Sequence, residues 1–268
     1  MAGPVERYLL RRIAKEGAVH LTLIDPEEVT PTTASQMAEK AAEYKTTAIM
    51  VGGSTSTSTA HLDNVVRKIK QSVKVPIILF PNGVTGISKF ADAIWFMSLL
   101  NSVDPYFLTG AQASGALLIR RHGLQTLPLG YIIVGDGGKA GIVGKANRIP
   151  YTRPDLAAAY ALTAQYFGMR FVYLEAGSGA SKPVPPSMIR VVRASIDVPL
   201  IVGGGIRTSR QAEVAVQAGA DMIVTGNVVE ESGATDQFRK LVAAVRVDRR
   251  TGGNGSTLSK DNEGASPD

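Results

Sequence analysis

The sequence predicts an α/β fold, a (βα)8 barrel of the TIM type with an extra N-terminal helix and an irregular or missing third helix. Three observations predict it. Eight short β-branched or apolar runs recur along the 268 residues, each followed by a longer segment, which is the pattern of βα units and a parallel sheet. An open doubly wound sheet shares that alternation but puts a Gly-rich phosphate turn after its first strand, whereas here the first run ends in Asp25-Pro26. The glycines gather instead after the second, fifth, sixth, seventh and eighth runs, as they would around the C-terminal mouth of a closed barrel.

In chain order, a helix is expected over 5–15, before the first strand. Strands are expected over 19–24, 48–51, 75–80, 93–100, 131–134, 171–174, 200–202 and 222–225. Between them, helices are expected over 33–44, 60–71, 154–167, 186–194 and 209–218. The third unit is the weak one, because 82–91 is short and holds Gly83 and Gly86, which leaves little room for a helix. A chain with 44% hydrophobic residues can bury a substantial core, so 1–248 is expected to form one barrel domain. From about Arg249 the composition turns to Gly, Ser and polar residues, and 249–268 is expected to be a disordered tail.

The absence of cysteine removes disulfides, thiolate zinc sites and cysteine nucleophiles together, and fits a reducing compartment. Arg11 and Arg12 near the N-terminus are not followed by the apolar region of a secretory signal, and no apolar run approaches a membrane span. A cytoplasmic location is therefore expected. The net charge is +6, but Lys and Arg are scattered and no basic run interleaved with aromatics points to nucleic acid. Anionic substrates, a loose contact with an acidic membrane surface, or a merely solvated basic surface are the readings left.

The strongest local signal is Ile201-Val202-Gly203-Gly204-Gly205-Ile206-Arg207-Thr208, followed one unit later by Val224-Thr225-Gly226-Asn227-Val228. Glycines let backbone N–H groups approach an anion without a Cβ in the way, and the loops after strands seven and eight are the common phosphate site of such barrels. Asn227 is also a natural helix N-cap. After the sixth strand comes Tyr173-Leu174-Glu175-Ala176-Gly177-Ser178-Gly179-Ala180, where alternation aims Tyr173 and Glu175 to one side of the sheet. A carboxylate there can accept a hydrogen bond or a proton from a hydroxyl. An ion pair for Glu175 and plain core packing for Tyr173 are the structural alternatives.

Asp25 ends the first strand, and Ser54 in Gly52-Gly53-Ser54 follows the neighbouring second strand. One carboxylate and one hydroxyl, completed by water and phosphate oxygens, suit magnesium, although Ser54 is equally an N-capping residue. His20, His61 and His122 lack metal-ligand spacing and read as structural. The long Gly-rich segment from Gly135 carries Lys139, Lys145 and Arg148, which meet a diphosphate or are simply solvated.

Together, the 20–26 run, Val51-Gly52-Gly53-Ser54, Phe80-Pro81, Met97-Ser98-Leu99-Leu100-Asn101-Ser102 and the three glycine loops resemble the geranylgeranylglyceryl phosphate synthases, prenyltransferases of archaeal ether-lipid synthesis. The likeness covers nearly the whole presumed barrel. It implies transfer of a geranylgeranyl group from its diphosphate to the 3-hydroxyl of sn-glycerol 1-phosphate. By matched position, Asp25 and Ser54 would bind Mg2+. Tyr173, Leu174, Glu175, Ala176, Gly177, Ser178, Gly179, Gly204, Gly205, Gly226 and Asn227 would bind glycerol phosphate. Glu175, Tyr173 and Asp25 would be the catalytic set, Glu175 orienting the hydroxyl and accepting its proton. The resemblance is also in keeping with a homo-oligomer, a dimer or hexamer. A polyprenyl tail needs an apolar groove, and 91–107 is rich enough to line one; Trp95 and Tyr106 either limit chain length there or pack in the barrel. A different prenyl length, an isomerase or lyase on a phosphate-gripping barrel, and a non-catalytic regulatory barrel are the competing readings, which magnesium-dependent release of diphosphate from a prenyl donor would separate.

Overall fold

A computed structural model of the chain describes residues 2–53, 58–226 and 236–246. Eight parallel strands close into a barrel in chain order: β1 (Val19–Ile24), β2 (Ala48–Val51), β3 (Ile77–Leu79), β4 (Ala93–Leu99), β5 (Gln125–Ile133), β6 (Phe171–Glu175), β7 (Leu200–Gly203) and β8 (Met222–Thr225). The register that closes it pairs Leu21 with Val224 on one side of β1 and with Ala48 on the other. Strand alternation then divides the core in two. Leu21, Met50, Ile78, Trp95, Phe171 and Ile201 fill the barrel, while Ile49, Leu79, Val172, Leu174, Val202 and Ile223 face the surrounding helices.

Those helices are α1 (Pro4–Glu16), α2 (Pro31–Glu43), α3 (Thr59–Ser72), α4 (Ala111–His122), α5 (Gly138–Val143), α6 (Pro154–Tyr166), α7 (Pro186–Ser195), α8 (Ser209–Gln217) and α9 (Asp236–Ala244). Proline starts α1, α2, α6 and α7, where its fixed φ suits the first turn and its missing N–H is no loss. Thr208 and Gln211 cap α8 reciprocally. The extra helix α1 closes the N-terminal end of the barrel: Val5 and Leu9 join the inner core, and buried Glu6 accepts from Arg170 Nε at 2.6 Å.

The third unit holds no α-helix. After β3 the chain makes only a 3-10 turn at Val84–Gly86 before entering β4, as the two glycines foretell. Two other units differ from the sequence reading. β5 starts at Gln125, six residues before 131, although Pro128 and Gly130 read as strand breakers. Pro128 costs no ladder bond, because β6 begins only opposite Leu129. Gly130 is needed: a Cβ there would come within 2.5 Å of Ala164 Cβ on α6. Helix α4, entered through a π-helical turn at Tyr106–Gly110, and the six-residue α5 carry no apolar stripe strong enough to have been read from the sequence. Helix α9 is missing from the sequence reading although it carries one, burying Phe238, Leu241 and Val242. The tail 249–268 lies outside the described residues.

Candidate active site

A cavity of about 360 Å³ opens at the C-terminal ends of the strands. Its centre is Glu175, the last residue of β6. The carboxylate is buried, and its Oε1 accepts the Gly177 N–H at 2.6 Å, while the hydroxyls of Tyr173 and Tyr131 also donate to it. Burial raises its pKa and these three donors oppose the rise. Burial also holds both phenols well above their usual pKa, with the Glu175 charge adding to it, so they stay protonated and donate. Tyr131 escaped the sequence reading: it lies opposite Tyr173 only once β5 and β6 are in register, their rings packing edge to face at 5.2 Å.

The glycine loops meet around this carboxylate. A Cβ on Gly204 (φ +81°) would lie 2.4 Å from Glu175 Oε1 and 2.6 Å from Gly177 N, so no other residue fits without displacing the acid. Gly203 is pressed as closely on the Tyr173 hydroxyl, at 2.1 Å for an added Cβ. Arg207 holds the sixth loop by donating to Ala180 O at 2.9 Å. Tyr173, Glu175, Ser178, Gly179, Gly204, Gly205 and Gly226 all line the cavity. Leu174 and Ala176 do not: their side chains pack in the outer core, and the Ala176 carbonyl accepts from Gly137 N at 3.0 Å. Gly177 sits behind the wall, so tight against the fifth loop that a Cβ would meet Gly138 N at 2.3 Å. Asn227 lies outside the described residues.

Asp25 lines the same cavity from β1, half-buried. Its Oδ1 accepts the Glu27 N–H at 3.0 Å, and His61 of α3 holds the next carbonyl, that of Pro26, at 2.8 Å. Burial raises the Asp25 pKa; the Glu27 N–H bond opposes the rise, the Glu28 and Glu27 charges add to it and Lys139 lowers it slightly. A Cβ on Gly53 would fall 2.0 Å from Asp25 Oδ2, so the glycine gives the carboxylate its room. Ser54 lies outside the described residues. Among the described residues no three His, Cys, Asp or Glu side chains gather into a ready metal cluster. A single carboxylate with open oxygen positions is still the donor type that a hard cation takes alongside water and phosphate. No histidine lines the cavity among the described residues, and His20 is buried on the outer face of β1, between Thr46 Oγ1 (3.0 Å) and Thr225 Oγ1 (2.9 Å).

The missing third helix shapes the other half of the cavity. Val84, Ile87, Phe96, Phe107, Gly115 and Ile119 line an apolar slot that runs from the mouth toward α4. Trp95 is wholly buried, edge to face with Phe171 at 5.1 Å, and still forms part of the cavity wall. Tyr106 stands at the rim, 42% exposed, facing Gly83 and Val143 rather than the main cavity. The three basic residues of the Gly-rich segment part company. Lys145 pairs with Asp104 (2.8 Å) and Arg148 donates to Asp136 O (2.7 Å), whereas Lys139 lines the mouth.

These features define a class, the barrel enzymes that work at the C-terminal ends of their strands. More narrowly, the chain belongs to the PcrB family, whose pattern it matches over residues 11–245. It is 51% identical over 247 residues to the geranylgeranylglyceryl phosphate synthase of Thermofilum pendens, covering 92% of this chain and 96% of that protein. With the synthase of the same name from Thermococcus gammatolerans it shares 55% identity over 238 residues, 89% of this chain and 94% of the other. In structure it is similar to (S)-3-O-geranylgeranylglyceryl phosphate synthase from Thermoplasma acidophilum, solved in complex with substrate sn-glycerol-1-phosphate. The TM-score is 0.87 at 41% identity, over 92% of this chain and 99% of that one.

Proposed function

We propose that the chain is a prenyltransferase that joins the geranylgeranyl group of geranylgeranyl diphosphate to the 3-hydroxyl of sn-glycerol 1-phosphate, the first ether bond of archaeal membrane lipids. One observation carries the reading: a glycine-walled polar pocket and an apolar slot share one cavity and meet at a buried carboxylate. The acceptor's phosphate belongs with the loops after β6, β7 and β8, through Ser178, Gly179, Gly204, Gly205, Gly226 and Asn227, and Leu174, Ala176 and Gly177 contribute through backbone alone. The prenyl chain belongs in the slot. At the junction, Glu175 accepts a hydrogen bond from the 3-hydroxyl and takes its proton as the new carbon–oxygen bond forms, and the two tyrosines fix the carboxylate's orientation.

Asp25, with Ser54, would hold magnesium, which supplies charge neutralisation to the departing diphosphate. Asp25 itself keeps an anionic oxygen at the mouth, on the β1 side of the cavity. We further propose that the protein works in the cytoplasm as a homo-oligomer, a dimer or hexamer. Among the described residues no helix is long and apolar enough to cross a membrane. The test is to incubate the purified chain and magnesium with glycerol 1-phosphate or glycerol 3-phosphate and prenyl diphosphates of several lengths, and to identify the product. An ether of the geranylgeranyl group with glycerol 1-phosphate is expected. Preference for another chain length would revise the donor, and release of diphosphate without ether formation would overturn the reading.

A further inference from the structure

We propose that Lys139 is the cation that receives the departing diphosphate of the prenyl donor. The inference rests on the prenyl-transfer reading above and adds a residue to it. Among the described residues the cavity is lined by two cationic side chains, Lys139 and Arg207. Arg207 is committed to the Ala180 carbonyl, and Lys145 and Arg148 are held by Asp104 and by the Asp136 carbonyl. Lys139 is exposed on the first turn of α5, and its side chain makes no ion pair or hydrogen bond among the described residues.

Its position follows from how the fifth loop is held. Asn101, buried at the end of β4, donates through Nδ2 to Ile133 O (2.8 Å) and Asn147 O (3.0 Å) and accepts the Ile133 N–H through Oδ1 (3.0 Å). Ser102 Oγ donates to Gly144 O at 2.6 Å. Both ends of the loop are thereby fixed. Its near end is pressed on the acceptor loop, where a Cβ on Gly138 would come within 2.8 Å of Ser178 O. Lys139, the next residue, thus emerges beside the acceptor loop, and its charge is also felt by Asp25. The diphosphate of a donor whose C1 faces the acceptor hydroxyl has to lie between those same two places.

In the transfer, the donor's C1–O bond breaks and its electron pair leaves on the diphosphate oxygen. The acceptor's 3-oxygen bonds to C1, and its proton passes to Glu175. Lys139 keeps its own proton and donates an N–H to the oxygen that gains charge, an interaction stronger in the transition state than in the bound donor.

Lys139→Met and Lys139→Arg in the full chain test this, with steady-state kinetics on both substrates and calorimetry of inorganic diphosphate in the presence of magnesium. Lys139→Met is expected to lower kcat/KM for the donor, through kcat as well as KM, and to weaken inorganic diphosphate binding, each about 10- to 100-fold, the range for losing one charge-assisted hydrogen bond. Lys139→Arg should recover most of this, and acceptor KM and melting temperature should not change. Unchanged donor and diphosphate affinity, or a loss confined to the acceptor, would overturn the assignment. A wild-type chain that forms no ether would sink the prenyl-transfer reading itself, whereas an active wild type with an indifferent Lys139→Met sinks only the role of Lys139.

Discussion

The Glu175 carboxyl is pulled two ways, burial favouring its proton and three hydrogen-bond donors favouring its charge. That balance suits a group that must be ionised before the step and protonated after it. Glu175→Gln keeps the size and can still accept from Gly177, but it cannot take a proton. The expected result is a fall in kcat of about 100- to 10,000-fold with a far smaller loss of glycerol phosphate affinity. Calorimetry beside kinetics checks it, and affinity lost in step with rate would make Glu175 a binding residue only. Because the pKa is raised, the acid limb of the wild-type rate profile should lie above the usual carboxylate range. Gly204 gives the second residue-scale prediction. With φ at +81° and the Glu175 carboxylate where a Cβ would stand, Gly204→Val should cost about 1–3 kcal/mol of stability. Glycerol phosphate binding should weaken about 10- to 100-fold while prenyl diphosphate binding holds. A folded variant that lost both equally would remove the seventh loop as the acceptor's cradle.

At the scale of elements, the seam of β1, β2, β8 and α9 is closed by a polar cluster rather than by apolar packing. Thr46 gives its one hydroxyl proton to the His20 carbonyl (3.1 Å), so it accepts from Thr22 and from His20 Nδ1–H, leaving Nε2 to accept from Thr225. Phe238 of α9 packs edge to face on the ring at 5.6 Å. Burial, aided by the charge of Arg246, drops the His20 pKa to about 3. The unfolded chain takes up that proton near pH 6.5 and the native one does not, so this stability is complete above pH 6.5 and drains as pH falls toward 3. His20→Asn does not titrate. The gap in melting temperature between wild type and His20→Asn should therefore narrow from about pH 7.5 to about pH 5; a constant gap would mean the ring is charged in the native state. Strands β1, β2 and β8 were legible as short, almost wholly buried apolar runs, and α2 and α3 because apolar periodicity coincides with a Pro or Ser/Thr start. The first half of β5 was not, since Pro128 and Gly130 are tolerated only because of where β6 and α6 sit. The same holds for the site: Asp25, Glu175 and Gly204 announce themselves at strand ends, but Tyr131 and the separate fates of Lys139, Lys145 and Arg148 depend on register and on the Asn101 clamp.

For the whole molecule, the architecture places polar chemistry on the loops of the β6–β8 half and apolar surface on the β3–β4 side, with Glu175 between. A barrel normally seals its strands beneath a complete ring of helices. Here the ring has a gap after β3, where a 3-10 turn stands in for a helix and Ile87, Phe96 and Ile119 line the cavity. A prenyl chain lying in that gap would serve as the wall that the polypeptide omits, so the substrate would be a part of the fold as well as its reactant. Ligand linkage then makes the native state more heat-resistant when greasy chains are present: a non-reactive prenyl diphosphate analogue at about 100 times its Kd should add about 2.7 kcal/mol to the unfolding free energy. At that same concentration, short-chain analogues that leave the gap unfilled should bind more weakly and add less, and a melting temperature indifferent to chain length would show that the gap is closed by the protein itself.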